Sequence, residues 1–129
     1  MNAAVRLGLA TSLAVSALTH AVLYAHGYQH IPKIGAAFLV QASVSLSLAL
    51  LVAARGPAWL RWSGAAVAGG SLAAFVLSRT VGLLGFSERG WEPSPYAAIS
   101  VVAEASAVLL WGASVRWGRR MGSAQAATS

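Results

Sequence analysis

Four residues draw attention by type and position: His20, Gln41, Arg79 and Glu104. Each interrupts a different apolar run, and lipid rejects all four side chains unless they find partners. An unpaired charge near the middle of a bilayer costs roughly 2.5–3.5 kcal/mol on insertion scales. A guanidinium and a carboxylate on neighbouring helices can cancel each other through a two-pronged fork. Arg79 is therefore expected to pair with Glu104. Ser100, one helical turn before Glu104, shares its face, and Tyr24, one turn after His20, completes the candidate set. Arg, His and Tyr donate hydrogen bonds to carbonyl and phosphate oxygens, so such a cluster could grip a quinone or a lipid headgroup. Glu104 and His20 could also exchange protons, but no nucleophile set accompanies them, and no catalytic residue is assigned.

The stretch "HAVLYAHGYQHIP" holds all three histidines of the chain, His20, His26 and His30. His26 and His30 are spaced to align on a helix, but Gly27 and Pro32 favour a turn there. With Glu88 or Glu92 they make a weak candidate metal set, suited to zinc or copper(II). A haem would need two facing axial ligands, and only His20 is placed to supply one. The chain has no cysteine, which excludes disulfides and thiolate metal sites.

The elements that must position these residues follow from composition. Of 129 residues, 57% are hydrophobic and 9% charged, against about 25% charged in soluble domains. About 20 apolar residues cross a hydrocarbon core, and four segments qualify: 5–25, 34–53, 65–86 and 96–115. The first could be mistaken for a cleaved leader, but its length and His20 favour a span. Residues 1–120 then form one four-helix transmembrane domain, and 121–129 are expected to be a disordered tail. Pro32, Pro57, Pro93 and Pro95 all fall in the linkers, where a missing N–H costs least. Such short linkers make consecutive helices antiparallel neighbours in an all-α, up-down bundle.

The net charge of +6 reflects topology rather than nucleic-acid binding. Arg6, Arg55, Arg61, Arg116, Arg119 and Arg120 lie on one side, which the positive-inside rule assigns to the cytoplasm together with both termini. With ~1.5 Å of rise per residue, the four polar residues all fall ~8–12 Å below the opposite surface. They should form one layer in the outer leaflet of a bacterial cytoplasmic membrane.

"HAVLYAHGYQHIPKIGAAFLVQ" and "SRTVGLLGFSERGWEP" with "VVAEAS" resemble the two halves of a family of small four-helix integral membrane proteins from actinobacterial-type genomes. The first half matches at His20, Tyr24, Gly27, Tyr28, Ile31, Pro32, Gly35, Phe38 and Gln41. The second matches at Ser78, Arg79, Thr80, Gly82, Leu83, Trp91, Glu92, Pro93 and Glu104. The likeness spans roughly 15–110. That family carries a proline where Leu84 stands here. The resemblance implies the four-helix topology and the choice of site, and it supplies no chemistry.

The chain has no soluble domain, and no substrate-sized polar cavity is implied. The leading expectation is a non-enzymatic accessory subunit, docked in the bilayer against a larger, redox-type membrane complex or against itself. The alternatives are a quinone-, lipid-, haem- or metal-binding module and a small oligomeric transporter that uses Glu104. No particular cofactor is indicated.

Overall fold

A computed structural model describes residues 1–128. The described chain is all-helical. It comprises α1 (Ala3–Ala25), α2 (Ile34–Ala53), α3 (Ala58–Arg79) and α4 (Tyr96–Ala127), with a single 3₁₀ turn at Tyr28–His30. All four helices are long and apolar enough to cross a membrane. They close a ring in chain order: α1 packs on α2 and α4, and α3 packs on α2 and α4. α1 and α3 touch across the centre, whereas α2 and α4 do not meet.

Burial is inverted relative to a water-soluble bundle. Leu18 is 62% exposed and Leu109 71%, while Ser45 is 0% exposed and Glu104 1%. Large apolar side chains face outward on every helix, an arrangement that fits lipid as the solvent and would aggregate in water. The fold is that of a multi-pass membrane protein.

The helix ends have local causes. Asn2 caps α1 by accepting a hydrogen bond from the Val5 amide at 2.9 Å, which satisfies one of the four unpaired N–H groups of the first turn. α2 stops in a Schellman motif, with the Gly56 amide on Leu51 O at 2.9 Å and the Arg55 amide on Val52 O at 3.2 Å. Arg55 takes the left-handed position at φ 62°, a place that glycine usually fills.

α3 begins at Ala58 and ends at Arg79, not at 65 and 86 as the apolar run predicts. At the start, Trp59, Leu60, Arg61 and Trp62 continue the helix beyond the purely apolar stretch. At the end, Gly82 at φ 87° turns the chain, and its amide bonds Leu77 O at 2.8 Å. Leu83 and Phe86 then exchange backbone hydrogen bonds around Leu84 (φ 52°) and Gly85 (φ 82°). A proline ring holds φ near −65°, so this turn could not close in the same way with proline at 84.

α4 runs through Ala127, and residues 121–127 are helical where a disordered tail is expected. Met, Gln and Ala favour helix, and nothing before Thr128 breaks it. At ~1.5 Å per residue α4 is ~48 Å long. That exceeds the ~30 Å hydrocarbon core, so the apolar run marks the lipid boundary rather than the helix boundary.

The core lies toward the end that carries the N-terminus and the 54–57 linker. It is built from residues such as Leu9, Leu13, Leu48, Val52, Leu60 and Ala107. The opposite end, beneath the 26–33 and 80–95 linkers, holds the polar interior.

Candidate functional site: a polar cavity beneath two linkers

Glu104 is the centre of the buried polar network. Three hydroxyls donate to its Oε1: Ser16 at 2.8 Å, Ser71 at 2.7 Å and Ser100 at 2.9 Å. They come from α1, α3 and α4, so a single oxygen ties three helices together. His20 Nδ1 lies 3.8 Å from the same oxygen and 2.9 Å from Ser16 O. A carbonyl only accepts, so Nδ1 carries the proton in that bond. His20 Nε2 faces the Ser71 hydroxyl at 3.5 Å. No hydrogen bond reaches Glu104 Oε2 among the described residues.

Glu104 also lines a cavity of about 560 Å³, counted with its open mouth. His20, Ser71 and Ser100 share its floor, and its walls are largely apolar. The aromatic side is ordered by contact. Phe38 stacks on Tyr28 with centroids 4.6 Å apart and meets His20 at 5.0 Å. Phe86 packs edge-on to Tyr28 at 5.8 Å. A mostly apolar concavity with a few convergent polar groups is the usual form of a small-molecule site.

The roof is a second polar network. Glu88, in the 80–95 linker, accepts from the Tyr28 hydroxyl through Oε1 and from Arg79 through Oε2, the latter at 2.9 Å. Arg79 also donates to Gly90 O at 3.2 Å, to Ser78 Oγ at 2.6 Å and to Glu92 O. Its guanidinium lies 4.2 Å over the Phe75 ring, close enough for cation–π attraction. The Glu88 amide bonds Ser78 O at 2.9 Å and so satisfies a carbonyl of the last turn of α3. Burial pushes the Tyr28 phenol well above its ordinary range. Its hydrogen bond to Glu88 and the Glu88 charge add to the rise, and Arg79 offsets part of it.

The expected Arg79–Glu104 fork does not form. Arg79 stands in the last turn of α3, and its donors are spent on the linker above. The cause is the helix end: the apolar run continues to Phe86, but the helix stops seven residues earlier, so Arg79 sits higher than depth counting places it. Gln41 is outside the cluster. Its Nε2 is buried without a hydrogen-bond partner, as is Oγ of Ser45 one turn below. Tyr24 is half-buried and does not contribute to the cavity wall. His20, Ser100 and Glu104 do come together as expected.

The proposed metal set separates. His26, His30 and Glu92 are exposed, and Glu88 is held by Tyr28 and Arg79. Among the described residues no group of three or more His, Asp or Glu side chains converges to hold a metal ion.

Two residues that sequence reasoning missed are Ser16 and Ser71, which supply two of the three hydroxyls on Glu104. The signal for Ser16 is the series Ser12, Ser16 and His20, spaced by one helical turn along α1. All three are buried. Ser71 carries no comparable signal, because a lone serine after Gly69 and Gly70 reads as close-packing surface.

No protein-family model, curated protein or solved structure matches this chain.

Proposed function

We propose that this chain is a membrane-embedded binding module for an amphipathic ligand that presents a hydrogen-bond donor on an apolar ring, of the quinol type. The observation that carries the reading is Glu104 Oε2. It belongs to a carboxylate 1% exposed, its sister oxygen is held by three serines, and the residue lines the cavity. A carboxylate accepts and does not donate, so it selects a hydroxyl or N–H over an oxyanion. A phosphate headgroup is disfavoured for the same reason, and Arg79 is already engaged by the linker. Phe38, Phe86 and Tyr28 provide the surfaces on which a ring would stack.

The six arginines at the opposite end support a topology with both termini cytoplasmic. The cavity would then open toward the outer leaflet of a bacterial cytoplasmic membrane. The Ser71 hydroxyl near His20 Nε2 gives its proton to Glu104 rather than to the imidazole, and the reading is non-enzymatic.

The test is titration of the purified protein in nanodiscs with a short-chain benzoquinol under reducing conditions, read by intrinsic tryptophan fluorescence. Trp91 lies 5.4 Å from Phe75 on the cavity wall and serves as the reporter. Glu104→Gln keeps an acceptor for the serines but places an NH₂ where the second oxygen stood. It is expected to weaken binding by about tenfold or more, the value of a hydrogen bond to a charged group. Gln41→Ala should bind as the wild type does. Equal binding by Glu104→Gln would sink this reading.

A second reading, an accessory subunit of a larger membrane assembly, is favoured by a groove between α1 and α4. Its lining includes the small residues Thr11, Ser12, Ala98 and Ala103, which let a partner helix approach closely, and the exposed Ile99 and Val102, which offer apolar contact. Purification in mild detergent tests it. Stoichiometric partners lost on Ala98→Leu would support docking, and a monomeric particle would not.

A further inference from the structure

At the other end of the bundle, we infer that Arg6, Arg55 and Arg61 form a binding cleft for the phosphate of an anionic lipid headgroup. The three side chains come from α1, the 54–57 linker and the first turns of α3. They line one open cleft of about 790 Å³, counted with the solvent in its mouth, together with Met1, Val52 and Gly56. The chain has only three acidic residues, Glu88, Glu92 and Glu104, and all belong to the opposite end. Among the described residues no acidic side chain pairs with these arginines.

The burial of Arg6 makes the point sharper. Its Nε is buried and has no hydrogen-bond partner among the described residues. A buried guanidinium nitrogen left unpaired is costly, and two further guanidiniums around the same space add like-charge repulsion. A phosphate in the cleft would relieve that repulsion, since guanidinium forks match its oxygens. Arg55 also occupies the left-handed position that ends α2, where glycine would be easier. That turn directs the chain so that residue 55 joins the cleft.

Two features assign the phosphate to a lipid rather than to free solution. Trp59, Trp62 and Trp117 are exposed at this end, and tryptophan marks the headgroup level. Leu7 and Leu51, neighbours in sequence of Arg6 and Val52, are exposed and offer apolar surface to acyl chains. Basic pockets between transmembrane helices are a general form of anionic-headgroup site.

The test is native mass spectrometry of the intact protein, released from micelles that hold equal amounts of phosphatidylglycerol and phosphatidylcholine. The expected result is preferential retention of phosphatidylglycerol. Arg61→Gln should weaken it about fivefold, and Arg6→Gln with Arg61→Gln about 25-fold, at roughly fivefold per basic residue. Arg116→Gln, Arg119→Gln and Arg120→Gln together, on the protruding end of α4, should change it by less than about twofold. Equal retention of the two lipids overturns the inference. So does full retention of phosphatidylglycerol by the double variant with its helices intact by circular dichroism. If the double variant loses its helices, Arg61→Gln alone decides by the same criterion. Displacement of the lipid by millimolar inorganic phosphate would reassign the cleft to free phosphate and overturn the lipid assignment.

Discussion

The two halves of this bundle hold their helices together by different physics, and the face of α1 records the change. Toward its N-terminus that face carries Leu9 and Leu13, both essentially inaccessible. One and two turns later it carries Ser16 and His20, equally buried but polar. α4 changes in the same sense, from Ala107 in the apolar core to Glu104 and Ser100 in the polar network. In lipid, burying leucine gains little from solvent, because acyl chains are as apolar as leucine itself. The leucine half is held by close packing alone. The Glu104 half is held by hydrogen bonds whose loss would strand polar groups in a dry interior. Such bonds are directional and can leave space between helices, which close packing cannot. The cavity that Glu104 lines in the polar half follows from that spacing.

The largest effect that would test this contrast is the loss of Glu104. Glu104→Ala strands three serine hydroxyls and His20, and should lower unfolding stability by about 3 kcal/mol. Leu13→Ala in the other half should cost about 2 kcal/mol or less, because the packing loss remains but the transfer from water largely drops out. Reversible unfolding in bicelles measures both. A reversed order would show that both halves are held mainly by packing.

Adding a methyl group sharpens it. A Cβ on Gly35 would sit 2.7 Å from Tyr28 O and 2.9 Å from Gln29 O, both backbone. A Cβ on Gly64 would sit 2.9 Å from Leu13 Cδ1, the far end of a side chain that can turn away. Gly35→Ala is expected to cost about 2 kcal/mol and Gly64→Ala less than about 1 kcal/mol, as overpacking against rigid and yielding neighbours. Equal costs would mean that the linker above the cavity is as compliant as the leucine core.

A pair of double-mutant cycles separates roof from floor. Arg79→Ala and Glu88→Gln share an ion pair and should couple by about 1 kcal/mol, as partly exposed pairs do. Arg79→Ala and Glu104→Gln share no bond and should add within about 0.5 kcal/mol. Strong coupling in the second cycle would restore the fork expected from sequence.

The smallest effect is in alkali. Tyr28 binds its proton more tightly in the folded state, because burial and Glu88 both oppose ionisation. Its contribution to stability is therefore full below the ordinary phenol value of about 10 and is lost as pH rises beyond it. Tyr28→Phe should flatten the fall in stability between about pH 9 and pH 11. An identical fall in wild type and variant would show that the phenol ionises as it would in water.

The four spans, their order and the pairing of consecutive helices were legible in the chain, since length and hydropathy decide what can cross lipid. His20, Ser100 and Glu104 were legible as a cluster because each breaks an apolar face at helical spacing. Arg79 was misplaced and Ser71 missed for one shared reason. Depth counting assumes that a helix runs as far as its apolar residues do, and it is blind to which serine a neighbouring helix will bring within 3 Å.

The chain's residues alone dictate a four-helix membrane bundle with six arginines at one end and a carboxylate within an apolar run near the other. Those properties depend on composition and period, which act residue by residue. Packing between helices set serines and His20 against Glu104 and made Arg79 staple a linker. It also decided that a cavity remains between them. Hydrogen-bond partners are chosen by distances of a fraction of an ångström between helices far apart in the chain. The turn at 82–86, set by local backbone conformation, moved one of the two charges out of reach of the other.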